Sequence, residues 1–375
     1  MSLESNASNC RAKEKFLQIF EGRKFEMLRY DTIPSEKPDW YDHDQFLQGQ
    51  DFYRRFSVGI LFSKFMSLVL GLFFPRLLRP LMFTRRSERP LDALRRYTAT
   101  GMHVFLWYTR DPWDPDSKSR KSLQEVTTMH RHIARMGETT QGRQKIQEAM
   151  ANMDTDYLGA VEEALHCFQE DTSKLQVPDS EFFACLHSQL KEEEEAMELP
   201  TLSQFDLALT QMGFFGAPLL YPHRVGIHGA TERDWEGFIM FWRTMGYLLG
   251  IDDKYNLCQD TVAETRELLQ VCCGYFSWQV HVDCSLAATF MAFTVVEGHR
   301  KLNQGLRLKP LIVYASTIYD IKMEKTRKSM TWHEWFCYMK IWRFLRYGWN
   351  SDSAAADEQQ FLHSEHSLKL GLAHN

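Results

Sequence analysis

Hydrophobic positions recur along most of this chain at intervals of three and four, the spacing that lines one face of an α-helix. The run extends from Asp39 to about Trp349 without a long linker. Several helices mark their own ends. Pro90 stands where a first helical turn tolerates proline, at the head of LDALRRYTATGMHVFLWYT, and Pro112 ends that helix. Thr231 and Asp234 have the spacing of a capping box, and Gly250 suits a C-terminal stop. Between them Trp235, Phe238, Ile239, Trp242, Met245 and Leu249 fall on one face. Alternating patterns are short; Leu311–Thr317 (LIVYAST) is the best strand candidate and reads equally as helix. The pattern predicts an all-α protein.

Three segments depart from that periodicity. Residues 1–37 are polar and mixed, and predict a loosely attached arm ahead of a single domain over 38–349. Residues 350–375 turn small and polar, and predict a flexible tail. Glu192–Glu198 reads as an acidic, solvated helix end closed by Pro200, the nearest approach to an internal boundary. Phe56–Phe74 (FSVGILFSKFMSLVLGLFF) is apolar almost throughout, interrupted by Lys64 and flanked by Arg54, Arg55, Arg76 and Arg79. A lysine at mid-span costs roughly 3 kcal/mol on insertion scales. The favoured reading is therefore a helix buried in the core. Membrane association through 56–74 is the other.

Composition adds a preference for a greasy interior. The 375 residues include 26 Phe, 14 Tyr, 10 Trp and 17 Met, side chains that suit a large helical core or a pocket for a flat, apolar ligand. A net charge of -5 argues against nucleic acid as a partner. The eight cysteines are scattered, with no CxxC pair, and Cys272, Cys273, His281 and Cys284 lack zinc-site spacing. The N-terminus has no basic-then-apolar signal pattern. These features predict an intracellular protein, cytoplasmic or associated with the endoplasmic reticulum membrane, and not a secreted one.

Candidate chemistry gathers in two segments. On the helix after Pro90, Arg96, Thr100, His103 and Trp107 form one stripe. Arg96 pairing with a surface acid is the plain reading of that stripe. In SLQEVTTMHRHIAR, His130 shares a face with Val126, Thr127, Ile133 and Ala134, while His132 points elsewhere. A lone histidine there is either a hydrogen-bonded core residue or a metal ligand. In the second case its small neighbours admit a haem plane, and Arg131 and Arg135 are candidates for the propionates. Gly213 and Gly216 bracket Phe214 and Phe215 after a helix, which predicts a tight turn lining an apolar cavity and not a phosphate cradle. No GxSxG or HExxH element is present.

Taken in order, several blocks resemble one family. WYDHDQFLQGQDFYRR, the apolar helix, RRYTATGMHVFLW, VTTMHRHIAR, FDLALTQMGFFG and EGFIMFWRTMGYLLGIDDKYNLC are similar, over roughly residues 38–350, to the rubber oxygenase (latex clearing protein) and MpaB-type oxygenases. The resemblance implies a globin-like helical core with additional helices and a b-type haem. It also implies insertion of dioxygen across a carbon–carbon double bond of an isoprenoid- or lipid-like substrate. His130 matches the axial histidine, and Arg96 and Thr100 match the pair that organises the haem pocket. Phe65, Leu68, Phe214 and Phe215 are expected to line the substrate path. Ala99 stands where latex clearing proteins place a distal lysine, so the sixth iron position is expected to be open or water-bound. A non-catalytic haem or lipid binder of the same fold is the alternative.

Overall fold

A computed structural model of the chain describes residues 3–27, 33–137, 157–196 and 198–347, with positions 139, 144 and 148. Fourteen α-helices and no strand occur among them, and a single bridge joins Glu26 to Ser203. They are α1 (Leu3–Glu21), α2 (His43–Gly71), α3 (Pro75–Phe83), α4 (Pro90–Thr109), α5 (Lys118–Gly137), α6 (Leu158–Thr172) and α7 (Ser180–Glu195). After them come α8 (Gln204–Leu220), α9 (Glu232–Leu248), α10 (Val262–Asp283), α11 (Leu286–Arg300), α12 (Leu308–Ile318), α13 (Glu324–Ser329) and α14 (Trp332–Tyr347).

The long α2 is the spine, packed most extensively on α9 and then on α8. Its contact with α9 is a glycine crossing: a Cβ on Gly49 would lie 2.3 Å from the Gly237 carbonyl, and one on Gly237 would meet the Gly49 amide at 2.8 Å. Beside it, Tyr53 of α2, Tyr108 of α4 and Phe241 of α9 stack in parallel, with successive ring centroids 4.1 Å apart. That stack ties three helices together through flat aromatic area. The predicted caps form as read. Thr231 and Asp234 make both capping-box bonds, and Gly250 takes φ 96° just past the helix end, a left-handed conformation natural only to glycine.

The apolar stretch behaves as a core helix and then turns. α2 runs on to Gly71, with Ile60, Met66 and Val69 buried, and α3 departs from it at 92°. No single helix among the described residues is long and apolar enough to cross a membrane; two bent pairs, α2 with α3 and α10 with α11, pass that test only when joined.

Three expectations need correction. The N-terminal residues are not a loose arm. Phe16, Ile19 and Phe20 of α1 are buried in the common core, and Arg23 is completely buried against Glu193, with Nε and Nη2 each 2.7 Å from its carboxylate. Glu192–Glu198 is therefore not merely solvated, for Glu193 holds Arg23 and Glu194 holds Arg76 and Arg79. Residues 311–317, which read equally as strand or helix, lie in helix α12, whose core position accepts β-branched side chains because packing outweighs propensity. Gly213 and Gly216 sit inside α8 and form no turn. The predicted tail at 350–375 lies outside the described residues.

Candidate functional site

Helices α4 and α5 form an antiparallel hairpin whose register decides which side chains meet. The connecting loop is held by Asx turns at Asp111 and Asp114, and the Ser117 hydroxyl accepts from the Arg120 amide at the head of α5. At the loop end of the hairpin, the Ser122 hydroxyl meets His103 Nδ1 at 2.7 Å and accepts from Trp107 Nε1 at 2.9 Å. Two turns farther along α5, in the opposite direction along α4, the same register brings His130 beside Arg96.

His130 is the centre of this site. Protein surrounds most of the ring, which keeps only part of its surface accessible. Its Nδ1 is sealed from solvent and has no hydrogen-bond partner. The hydroxyl of Thr127, one turn earlier on the same face, is equally buried and equally unpartnered. Burial, reinforced by the Arg96 cation, pushes the His130 imidazole from its ordinary 6.5 down to about 4. The ring is thus neutral at physiological pH, with a lone pair available to a Lewis acid or a proton donor.

Arg96 does not pair with a surface acid. Its Nη1 donates to the Leu81 carbonyl at 3.1 Å, the Thr84 hydroxyl at 2.7 Å and the Ser87 hydroxyl at 3.3 Å, all neutral acceptors. No carboxylate partner occurs among the described residues. Burial lowers its pKa, although guanidinium remains charged. An enclosed cation with only neutral partners favours an anion beside it. Thr100 turns its hydroxyl back onto the Arg96 carbonyl at 3.3 Å, and Ala99 is exposed.

The remaining predicted residues are dispersed. Arg135 is exposed, and Arg131 donates to the Thr128 hydroxyl at 3.2 Å near the surface. Phe214 and Phe215 both face Trp242 at 5.1 and 6.4 Å between centroids, Phe215 fully buried and Phe214 partly open beneath the Lys64 ammonium. Leu68 and Phe65 are half-buried on α2, and Phe65 lies 4.7 Å from the ring of His299. His299 is a second enclosed imidazole, with Nδ1 2.8 Å from the Val295 carbonyl and a pKa lowered by burial. Sequence reasoning passed over it. The one local signal was a histidine next to Gly298 on the apolar α11, where a Cβ on that glycine would strike the Pro90 carbonyl at 2.2 Å. A cavity of about 30 Å³, bordered by Phe73, Phe168 and Phe276, does not touch His130.

The neutral His130 also bears on acid stability. In the unfolded chain this imidazole takes up a proton near pH 6.5, and in the fold only near 4. The fold therefore binds fewer protons across that window and loses stability as pH falls through it. His130→Gln is expected to flatten the decline in urea midpoint between about pH 7 and pH 5. An unchanged slope would assign the acid sensitivity to other groups, His299 first. Among known proteins, no family model, curated protein or solved structure matches this chain.

Proposed function

We propose that this chain is a haem b-dependent oxygenase built on a globin-like helical core, acting with dioxygen on an apolar, unsaturated, isoprenoid- or lipid-like molecule. The observation that carries the reading is the enclosed, neutral imidazole of His130, its Nδ1 unpartnered, beside an enclosed guanidinium that finds no carboxylate among the described residues. These residues fit a haem. His130 would hold the iron, and Thr127 and Ala134 beside it on α5 are small side chains that would leave its imidazole the leading group on that face.

Arg96 takes a propionate or organises the pocket, its orientation set by Thr84, Ser87 and the Leu81 carbonyl. Thr100 braces the turn of α4 that carries Arg96. Arg131 and Arg135 lie on α5, the first half-buried and the second exposed, and would serve only a propionate that reaches solvent. A bound haem supplies the iron chemistry that activates dioxygen. The chain's own part is to bind the macrocycle, keep water out and admit an apolar substrate along Phe65, Leu68 and Phe214, which are partly open, while Phe215 stays in the core behind them.

The test is spectroscopic. Expressed with haem supply, the wild-type chain is expected to show a Soret band, and His130→Ala to lose it or shift it strongly. A wild type without that band overturns the reading, and a band unchanged in His130→Ala overturns the ligand assignment. Oxygen uptake with a polyprenyl substrate then separates an oxygenase from a haem or lipid carrier of the same fold.

A further inference from the structure

The C-terminal helix α14 presents an unusual outer face. Its inner stripe, Cys337, Ile341 and Leu345, is buried, and the helix packs on α12. An ordinary amphipathic surface helix would carry polar side chains opposite that stripe. Here the opposite side carries Trp332, Trp335, Phe336 and Met339, with Trp332 82% and Phe336 54% exposed. Lys340, Arg343 and Arg346 continue the same exposed surface, and Phe336, Met339, Lys340 and Arg343 border an open groove. Aromatic side chains and cations are interleaved. Lys340 Nζ lies 4.6 Å from the Phe336 ring centroid.

Charge separates this region from the rest of the molecule. Between Glu324 and Tyr347 there are six Lys or Arg (Lys325, Arg327, Lys328, Lys340, Arg343, Arg346) against two acids (Glu324, Glu334), a local +4 on a chain whose net charge is -5. Glu334 is occupied in capping α14, accepting from the Thr331 amide and hydroxyl. Tryptophan and phenylalanine bordered by lysine and arginine form the composition that seats a helix at a lipid headgroup boundary: rings enter the interface, ammonium and guanidinium groups stay at the phosphates, and aliphatic stems cover the apolar depth.

We propose that α14, with the basic residues of α13, docks this protein flat onto an anionic lipid bilayer. The mode is peripheral and needs no spanning helix. It does not depend on the haem reading, and it lies on a different element from the apolar α2.

Flotation of the purified full chain with vesicles tests it, using phosphatidylcholine alone and phosphatidylcholine containing roughly one-third phosphatidylserine. The wild type is expected to float at least about fivefold more with the anionic vesicles, and to lose that preference in high salt. Trp332→Ser/Phe336→Ser is expected to reduce flotation about tenfold. Lys340→Gln/Arg343→Gln/Arg346→Gln is expected to remove the anionic preference alone. Phe25→Ser, at an exposed aromatic on the far N-terminal segment, should float as the wild type does. Circular dichroism and melting temperature establish that each variant is folded. A wild type that stays at the bottom of the gradient overturns the proposal, and so does a folded double variant that floats undiminished. Self-association abolished by Trp332→Ser/Phe336→Ser without any vesicle binding overturns it in favour of a second copy of the chain.

Discussion

Asp206→Ala is expected to lower the stability of the fold by about 3–5 kcal/mol, among the largest effects of any single polar substitution in this protein. Asp206 is fully buried and accepts two bonds of 2.7 Å from the nearly buried Arg76, one from Nε and one from Nη2. The same carboxylate caps α8, accepting from the Ser203 amide at 2.9 Å and hydroxyl at 2.7 Å. Arg76 also reaches Glu194 at 2.9 Å and the Pro200 carbonyl at 3.1 Å. Burial works against the charged guanidinium, but the two carboxylates outweigh it and hold the Arg76 pKa above its ordinary value. Removing Asp206 leaves that cation buried with half its compensation and deletes the carboxylate half of the α8 capping box.

Chemical denaturation of wild type, Asp206→Ala, Arg76→Ala and the double variant checks this. The double variant should lose much less than the sum of the singles, because it no longer strands a charge. Additive losses would mean that water already reaches the pair. An exposed pair such as Arg85 with Glu88, at 3.0 Å, should show little coupling by the same method, because water screens it.

The second large effect belongs to the glycine crossing. Alanine normally stabilises a helix interior relative to glycine by about 0.5–1 kcal/mol. At Gly49 the new Cβ would lie 2.3 Å from the Gly237 carbonyl and 2.6 Å from Phe241 Cβ; at Gly237 it would meet Gln48 Cβ at 2.7 Å and the Gly49 amide at 2.8 Å. Backbone atoms cannot rotate aside as a flexible side-chain end can. Relief requires α2 and α9 to separate, which would also open the Tyr53–Tyr108–Phe241 stack beside them. Gly49→Ala and Gly237→Ala are each expected to destabilise by about 3 kcal/mol or more. Gly159→Ala, near the start of α6 with open space around its Cβ position, should be neutral or stabilising. If Gly49→Ala melts with the wild type, α2 and α9 do not cross this closely in solution.

Much of the architecture was legible in the residues alone. Period-3.6 patterning carries helix identity because each helix must bury one stripe, and capping boxes carry helix starts because orphan amides need acceptors. Thr231, Pro90 and Gly250 were therefore readable locally. Residues 311–317 were ambiguous because a short apolar β-branched run has the same signature in a buried strand and a buried helix. The N-terminal segment was misread for a related reason. Its buried Phe16, Ile19, Phe20 and Arg23 are spread thinly among polar residues, and only their partners, Tyr275 and Phe205 across aromatic contacts and Glu193 across an ion pair, reveal the burial.

The candidate site divides along the same line. His130 on a small-residue face and Arg96 in a stripe with Thr100 were visible from spacing on single helices. That Arg96 finds only neutral acceptors, that His130 Nδ1 finds none, and that Gly213 continues a helix are properties of what surrounds these residues. The sequence by itself determined the helical class, the starts of α4 and α9, and the helix faces that His130 and Arg96 each occupy, because those depend on neighbours one turn away. Tertiary structure alone decided which charges are buried and compensated, where α1 packs and that α14 turns aromatics outward. Desolvation and Coulomb terms depend on groups far apart in the chain, as the 130 residues between Arg76 and Asp206 illustrate.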